Sequence, residues 1–124
     1  MKKRLLDSVI LIDHFNGIEK ASKFLTGLDP LKTVVSVITY AEILVGFDEA
    51  ESTPAKALLD QYAVLGIDAA VAERAAALRR QFGWKLPDAF QAALALTHQL
   101  MLCTRNTKDF DPAKHNFIEV PYTL

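Results

Sequence analysis

The stretch that most constrains this chain runs over residues 4–13, Arg4-Leu5-Leu6-Asp7-Ser8-Val9-Ile10-Leu11-Ile12-Asp13. It reads as a short, fully buried strand that ends in a carboxylate, with Leu5 and Leu6 directly before Asp7 and an apolar run resuming at Val9. Open α/β sheets bind their ligands at the carboxyl ends of the strands, so an acid there is a candidate site residue. Glu42 and Asp88 follow later apolar runs in a comparable way.

The rest of the chain alternates strand and helix signals. Residues 18–28 read as a helix, with Ile18, Ala21, Phe24, Leu25 and Leu28 at helical spacing, and Asp29-Pro30 ends it. Residues 33–37 form a near-continuous apolar run suited to a parallel strand covered on both faces. Ser36 and Thr39 suit the N-cap of the helix that follows over 38–47. Thr53-Pro54 opens a helix over 54–63, and 64–67 is a strand. Asp68 caps a helix that buries Val71, Ala75, Leu78 and Phe82 and stops at Gly83. Pro87 opens another, reaching Gln99, with Asp88, Ala92 and Ala95 on one face. Residues 101–104 are a strand, Asp111-Pro112 caps a helical turn, and 117–120 form a last edge strand ended by Pro121. This order predicts an α/β fold, a central parallel sheet with helices on both faces.

At 124 residues the chain is expected to be one domain over 1–124, able to bury roughly two-thirds of its unfolded surface. No apolar run reaches the ~18 residues that span a bilayer. Lys2, Lys3 and Arg4 resemble a signal-peptide start, but Asp7 and Asp13 interrupt the apolar run and no small-residue cleavage site follows. The lone Cys103 rules out an internal disulfide. The expectation is a cytoplasmic protein. Net charge is -1, which decides nothing about a polyanionic partner, although Arg79, Arg80, Lys85, Arg105, Lys108 and Lys114 are available for phosphates.

Each acid has a structural alternative. Asp7 can end a strand or cap a turn. Thr39-Tyr40-Ala41-Glu42 and Asp88-Ala89-Phe90-Gln91 both have capping-box spacing. Together the acids point elsewhere, because two carboxylates ~4 Å apart repel by about 4 kcal/mol at an effective dielectric of 20. Mg²⁺ or Mn²⁺ would relieve that repulsion, since hard cations prefer oxygen ligands. No Ser-His-Asp order, Cys-His pair or zinc spacing competes. His14, His98 and His115 share no spacing, and Cys103 and Trp84 read as packing residues. Asp13 reads as a turn cap.

The same residues carry a resemblance. The chain resembles the PIN-domain family, and within it the small VapC-type toxin ribonucleases. The matching pieces are Leu5-Leu6-Asp7-Ser8 with Leu11-Ile12-Asp13, then Ser36-Val37-Ile38-Thr39-Tyr40-Ala41-Glu42-Ile43, then Leu86-Pro87-Asp88-Ala89 with Ala92-Ala93, and Thr104-Arg105-Asn106 with Asp109-Phe110. The resemblance implies a three-layer α/β/α sandwich and a Mg²⁺- or Mn²⁺-dependent endoribonuclease. It implies that Asp7, Glu42 and Asp88 bind the metal. The fourth motif has Asn106 where many relatives carry Asp. Asn106 can offer a carbonyl oxygen or orient water, and Asp109 either replaces the missing charge or caps the loop before Phe110. Thr104, Arg105 and Lys108 are the expected substrate contacts. The third motif carries Phe90-Gln91 where relatives often have apolar residues. The resemblance further implies a type II toxin–antitoxin system with a cognate antitoxin, and a homodimer. The competing reading is a non-catalytic or weakened interaction module of the same fold. A receiver domain or aspartyl phosphatase is excluded, because Asp7 is followed by Ser8-Val9 rather than by a paired acid.

Overall fold

A computed structural model describes residues 3–124. Five parallel strands form one sheet: β1 (Arg4–Leu6), β2 (Thr33–Ser36), β3 (Ala63–Leu65), β4 (Met101–Cys103) and β5 (Ile118–Glu119), in the spatial order β3-β2-β1-β4-β5. Helices α1 (Ser8–Phe15) and α2 (Glu19–Thr26) link β1 to β2. Helices α3 (Val37–Val45) and α4 (Thr53–Leu59) link β2 to β3, and α5 (Ala69–Phe82) and α6 (Leu86–His98) link β3 to β4.

Alternation along each strand divides the core. Side chains of neighbouring strand residues point to opposite faces. Leu5, Val34 and Leu102 therefore join Val71, Ala75, Ala89 and Ala92 of α5 and α6. Leu6, Val35 and Cys103 join Ile10, Leu11, Leu25, Ile43 and Leu59 on the other side. This is the expected three-layer α/β/α sandwich. Among the described residues no helix is long and apolar enough to cross a membrane.

The first stretch differs from expectation. The strand stops at Leu6, and residues from Ser8 onward are helical. Asp7 is extended (φ -73°, ψ 149°) and its side chain accepts from the Ser8 N–H. Branched residues such as Val9, Ile10 and Ile12 give up only a few tenths of a kcal/mol, about 0.5, in a helix. Burying Ile10 or Leu11 gains about 1.5–3 kcal/mol, so packing wins. The apolar run looked continuous because Ile12 is apolar yet exposed. Helix α4 also ends earlier than predicted, and Ala63 belongs to β3. Ala63 lies exposed on an edge strand and carries no strand signal of its own.

The topology fixes where chemistry can sit. From β1 the chain moves outward through β2 to β3, then returns to place β4 on the other side of β1. Crossovers therefore diverge between β1 and β4, and the carboxyl ends of those strands border an open crevice. Asp7 follows β1 and Thr104 follows β4, joined by the Asp7 N–H donating to the Cys103 carbonyl at 2.9 Å.

Candidate metal centre

Asp7 is 6% exposed at the crevice floor. The Thr104 hydroxyl donates to its Oδ2 at 2.7 Å, and the Ser8 N–H donates to Oδ1 at 2.9 Å. Gln91 Nε2 donates to the same Oδ1 at 3.5 Å. Burial pushes the Asp7 carboxyl up, and these three hydrogen bonds oppose the shift without cancelling it. Every donor is neutral, so a buried acid stands there with no cation to balance it.

Asp88 sits in the first turn of α6. Burial, followed by the charges of Asp7, Asp109 and Glu42, raises its carboxyl to about 6, against a smaller pull from Lys85. Glu42 is raised too, first by partial burial and then by Asp7, while Ser8 works the other way. The capping alternatives fail for both. Ser36 caps α3, its Oγ accepting from the Thr39 N–H at 3.0 Å, which leaves Glu42 inside the helix. Lys85 is the N-cap of α6 and makes no side-chain cap. Asp7 does cap α1, and it faces the other acids as well.

A cleft of about 460 Å³ is lined by Asp7, Ser8, Val9, Asp88, Arg105, Asn106, Thr107 and Lys108. Glu42 borders a separate, smaller depression beside Ile12, Phe15 and Phe47. A larger hollow of about 530 Å³, floored by Phe82, Trp84 and His115, shares Thr107 and Lys108 with the acid cleft. That hollow contains Asp109 and Asp111 but neither Asp7 nor Asp88, so the smaller cleft is the candidate site.

Among the described residues, no three His, Cys, Asp or Glu side chains converge closely enough to hold one ion. The acids sense one another's charge without reaching coordination geometry. The donor set still fits a hard divalent cation: it is all oxygen, mutually repelling, and anchored on a rigid Asp7. Glu42 is exposed and Asp88 half-buried, which leaves both room to rotate inward.

The fourth motif shapes the rim. The Asn106 N–H donates to Thr104 Oγ1 at 3.0 Å, and Asn106 Nδ2 donates to Asp109 Oδ2 at 3.1 Å. Trp84 Nε1 donates to the Asp109 carbonyl at 3.0 Å, pinning the loop to the core. Arg105 differs from the expected phosphate contact. Its guanidinium forks onto Asp13, Nε to Oδ2 at 2.6 Å and Nη2 to Oδ1 at 2.7 Å. The Tyr122 hydroxyl donates to Asp13 Oδ2 at 2.7 Å. Asp13 is thus the anchor of this rim rather than a turn cap, and Arg105 is occupied within its own chain. Lys108 stays exposed on the cleft edge.

Sequence reasoning gave Gln91 and Thr39 no place in the site, reading Thr39 only as a cap and Gln91 only as a capping-box or motif variant. Gln91 is 1% exposed, and its Nε2 donates to Thr39 Oγ1 at 2.6 Å as well as approaching Asp7. Its Oε1 is buried without a partner, a condition that costs about 1–3 kcal/mol. The available signal was a lone amide on an otherwise alanine-rich helical face.

The fold and the gathered acids define a class, parallel α/β domains with carboxylates at the carboxyl edge of the sheet. A family model for the PIN domain matches residues 4–115. The solved structures agree. A toxin–antitoxin complex from Klebsiella pneumoniae contains a chain 36% identical to this one, covering 98% of this chain and 100% of that one, with a TM-score of 0.89. FitAcB from Neisseria gonorrhoeae (23% identity, 95% and 97% covered, TM-score 0.79) and DNA-bound VapBC from Salmonella typhimurium (20%, 98% and 100%, 0.80) share the fold. Among curated proteins none gives a significant match. The chain belongs to the PIN-domain family.

Proposed function

We propose that the chain is a VapC-type endoribonuclease, dependent on Mg²⁺ or Mn²⁺, and the toxin of a toxin–antitoxin pair. It acts as one nuclease domain over residues 1–124, in the cytoplasm, as a homodimer restrained by a cognate antitoxin. The observation that carries this reading is the pairing of Asp7 and Asp88 in one cleft at the carboxyl edge of the sheet, with the raised Asp88 carboxyl in keeping with it. Membership of the PIN-domain family and the 36% identical chain in a toxin–antitoxin complex support it.

Asp7, Glu42 and Asp88 would hold the ion, with Asp109 on the rim as the fourth acid. A bound divalent ion supplies a water of lowered pKa and neutralises charge on the phosphoryl group. Thr104 and the Ser8 N–H keep Asp7 from turning away. Asp88 must shed its proton before it can bind a cation, which places full metal affinity above about pH 6. Asn106 gives its amide N–H to Asp109, which leaves Oδ1 as an acceptor for water. Lys108 stands free at the cleft edge to meet a backbone phosphate. Arg105 holds the Thr104-to-Asp109 loop through Asp13 and acts on substrate only indirectly.

The test is RNA cleavage by purified protein with Mg²⁺ or Mn²⁺ against EDTA, beside Asp7→Ala and Asp88→Ala. Cutting that needs metal and disappears in both variants supports the reading. Cutting that persists in both variants assigns the activity to a contaminant. A stable protein with no cutting and no metal binding points to the non-catalytic module.

A further inference from the structure

Helix α6 buries Ala89, Gln91, Ala92, Ala93, Leu94 and Ala95, and Gln91 is the one polar side chain among them. Leu or Met would fill a similar volume without burying an amide. A polar group kept in such a place, with one atom unpartnered, needs a reason beyond packing. The reason lies at the other end of the amide. Nε2 donates to Thr39 Oγ1 at 2.6 Å and lies 3.5 Å from Asp7 Oδ1. The amide orientation is fixed by charge, since turning it over would set a carbonyl against the carboxylate. Thr39 Oγ1 in turn donates to the Leu6 carbonyl at 3.4 Å and accepts from Ser36 Oγ at 3.5 Å. The backbone just before Asp7 and the carboxylate itself are therefore gripped by one connected set of groups from β2, α3 and α6.

We propose that Gln91 is a positioning residue of the metal centre, its amide tying Asp7 to Thr39 so that the carboxylate is set for a divalent cation. This rests on the metal-dependent reading above. Partners that orient a metal ligand typically change affinity 10–100-fold when removed. Gln91 makes the longest of the three contacts to Asp7, which places its effect at the low end.

The experiment is Mn²⁺ titration calorimetry on the purified protein, on Gln91→Leu and on Gln91→Met, with thermal midpoints recorded in EDTA. The expected result is a dissociation constant raised about tenfold in both variants, with metal-free midpoints equal to or above that of the parent. If Gln91→Leu does not fold, Gln91→Met decides. A constant within twofold of the parent, with parent binding intact, overturns this proposal alone. Midpoints that fall in EDTA together with affinity overturn it in favour of a packing role. A parent protein that binds no Mn²⁺ overturns the metal reading and this inference together.

Discussion

Asp13 and Arg105 stand 92 positions apart in sequence, and neither residue type announces its partner. Arg105 read as a phosphate contact because a loop arginine beside candidate acids has no other visible use. The fold supplies the use, bringing the end of β4 against α1 and the chain end at Tyr122 over both. Asp13 is 4% exposed, and the Arg105 guanidinium holds its carboxyl below the usual range, with help from the Tyr122 hydroxyl. Arg105→Ala leaves that carboxylate buried with only Tyr122. Because Arg105 is partly exposed, the expected cost is about 2 kcal/mol rather than the larger loss of a fully buried pair. Urea unfolding checks it. A double-mutant cycle of Asp13→Asn with Arg105→Gln should give a coupling of about 1 kcal/mol or more. Coupling near zero would return Arg105 to the role of a free phosphate contact.

At the scale of elements, helix α6 carries more than any other segment. It presents Asp88 to the cleft and holds the buried Gln91 against Asp7, while its alanines lie against α5 and the sheet. Small side chains there let the backbone come close, and the packing has no spare volume. Ala93→Leu is expected to cost about 1–3 kcal/mol through overpacking, read as a lowered urea midpoint at unchanged slope. Ala93 lies in the buried core and not in the cleft lining, so metal affinity per folded molecule should hold. The alanine stripe was legible in the sequence, and so were the Asp68 cap, the Gly83 stop and all five strands in outline. The β1–α1 junction was not. A strand of three residues gives too little length for a period, and an all-apolar helix start hides the change from period two to 3.6. Capping-box spacing around Glu42 and Asp88 was similarly ambiguous. Only the fold shows that Ser36 and Lys85 hold the cap positions.

For the whole molecule, the raised carboxyls of Asp7, Glu42 and Asp88 work against folding at neutral pH. Asp88 has a carboxyl at about 6 in the folded chain, above its ordinary value of 3.8. The folded state then binds more protons than the unfolded one across that interval, so stability from this group is full below it and is lost as pH rises through 6. Asp7 and Glu42 are shifted in the same direction. Asp13 works the other way, adding stability above its unfolded value and losing it in acid. In EDTA at pH 7, Asp88→Asn should therefore be more stable than the parent by about 1 kcal/mol, the full shift being discounted for a half-buried group. Below about pH 3, where the parent carboxyl is protonated in both states, the difference should vanish. On the proposed metal-dependent reading, divalent metal should reverse the ranking. At a free ion concentration about 100 times its dissociation constant, binding adds about 2.7 kcal/mol to a protein that can hold it. Asp88→Asn has lost a charged ligand and should gain much less. If a cation binds at Asp88 it must displace the Asp88 proton, so the parent's gain from Mn²⁺ should grow between pH 5 and pH 7. Thermal melts of both proteins at pH 3, pH 5 and pH 7, with Mn²⁺ and with EDTA, read each of these differences. Equal melting points for parent and Asp88→Asn in EDTA at pH 7 would mean that the acids do not repel one another in the folded protein. The electrostatic basis for a metal at this sheet edge would then be gone.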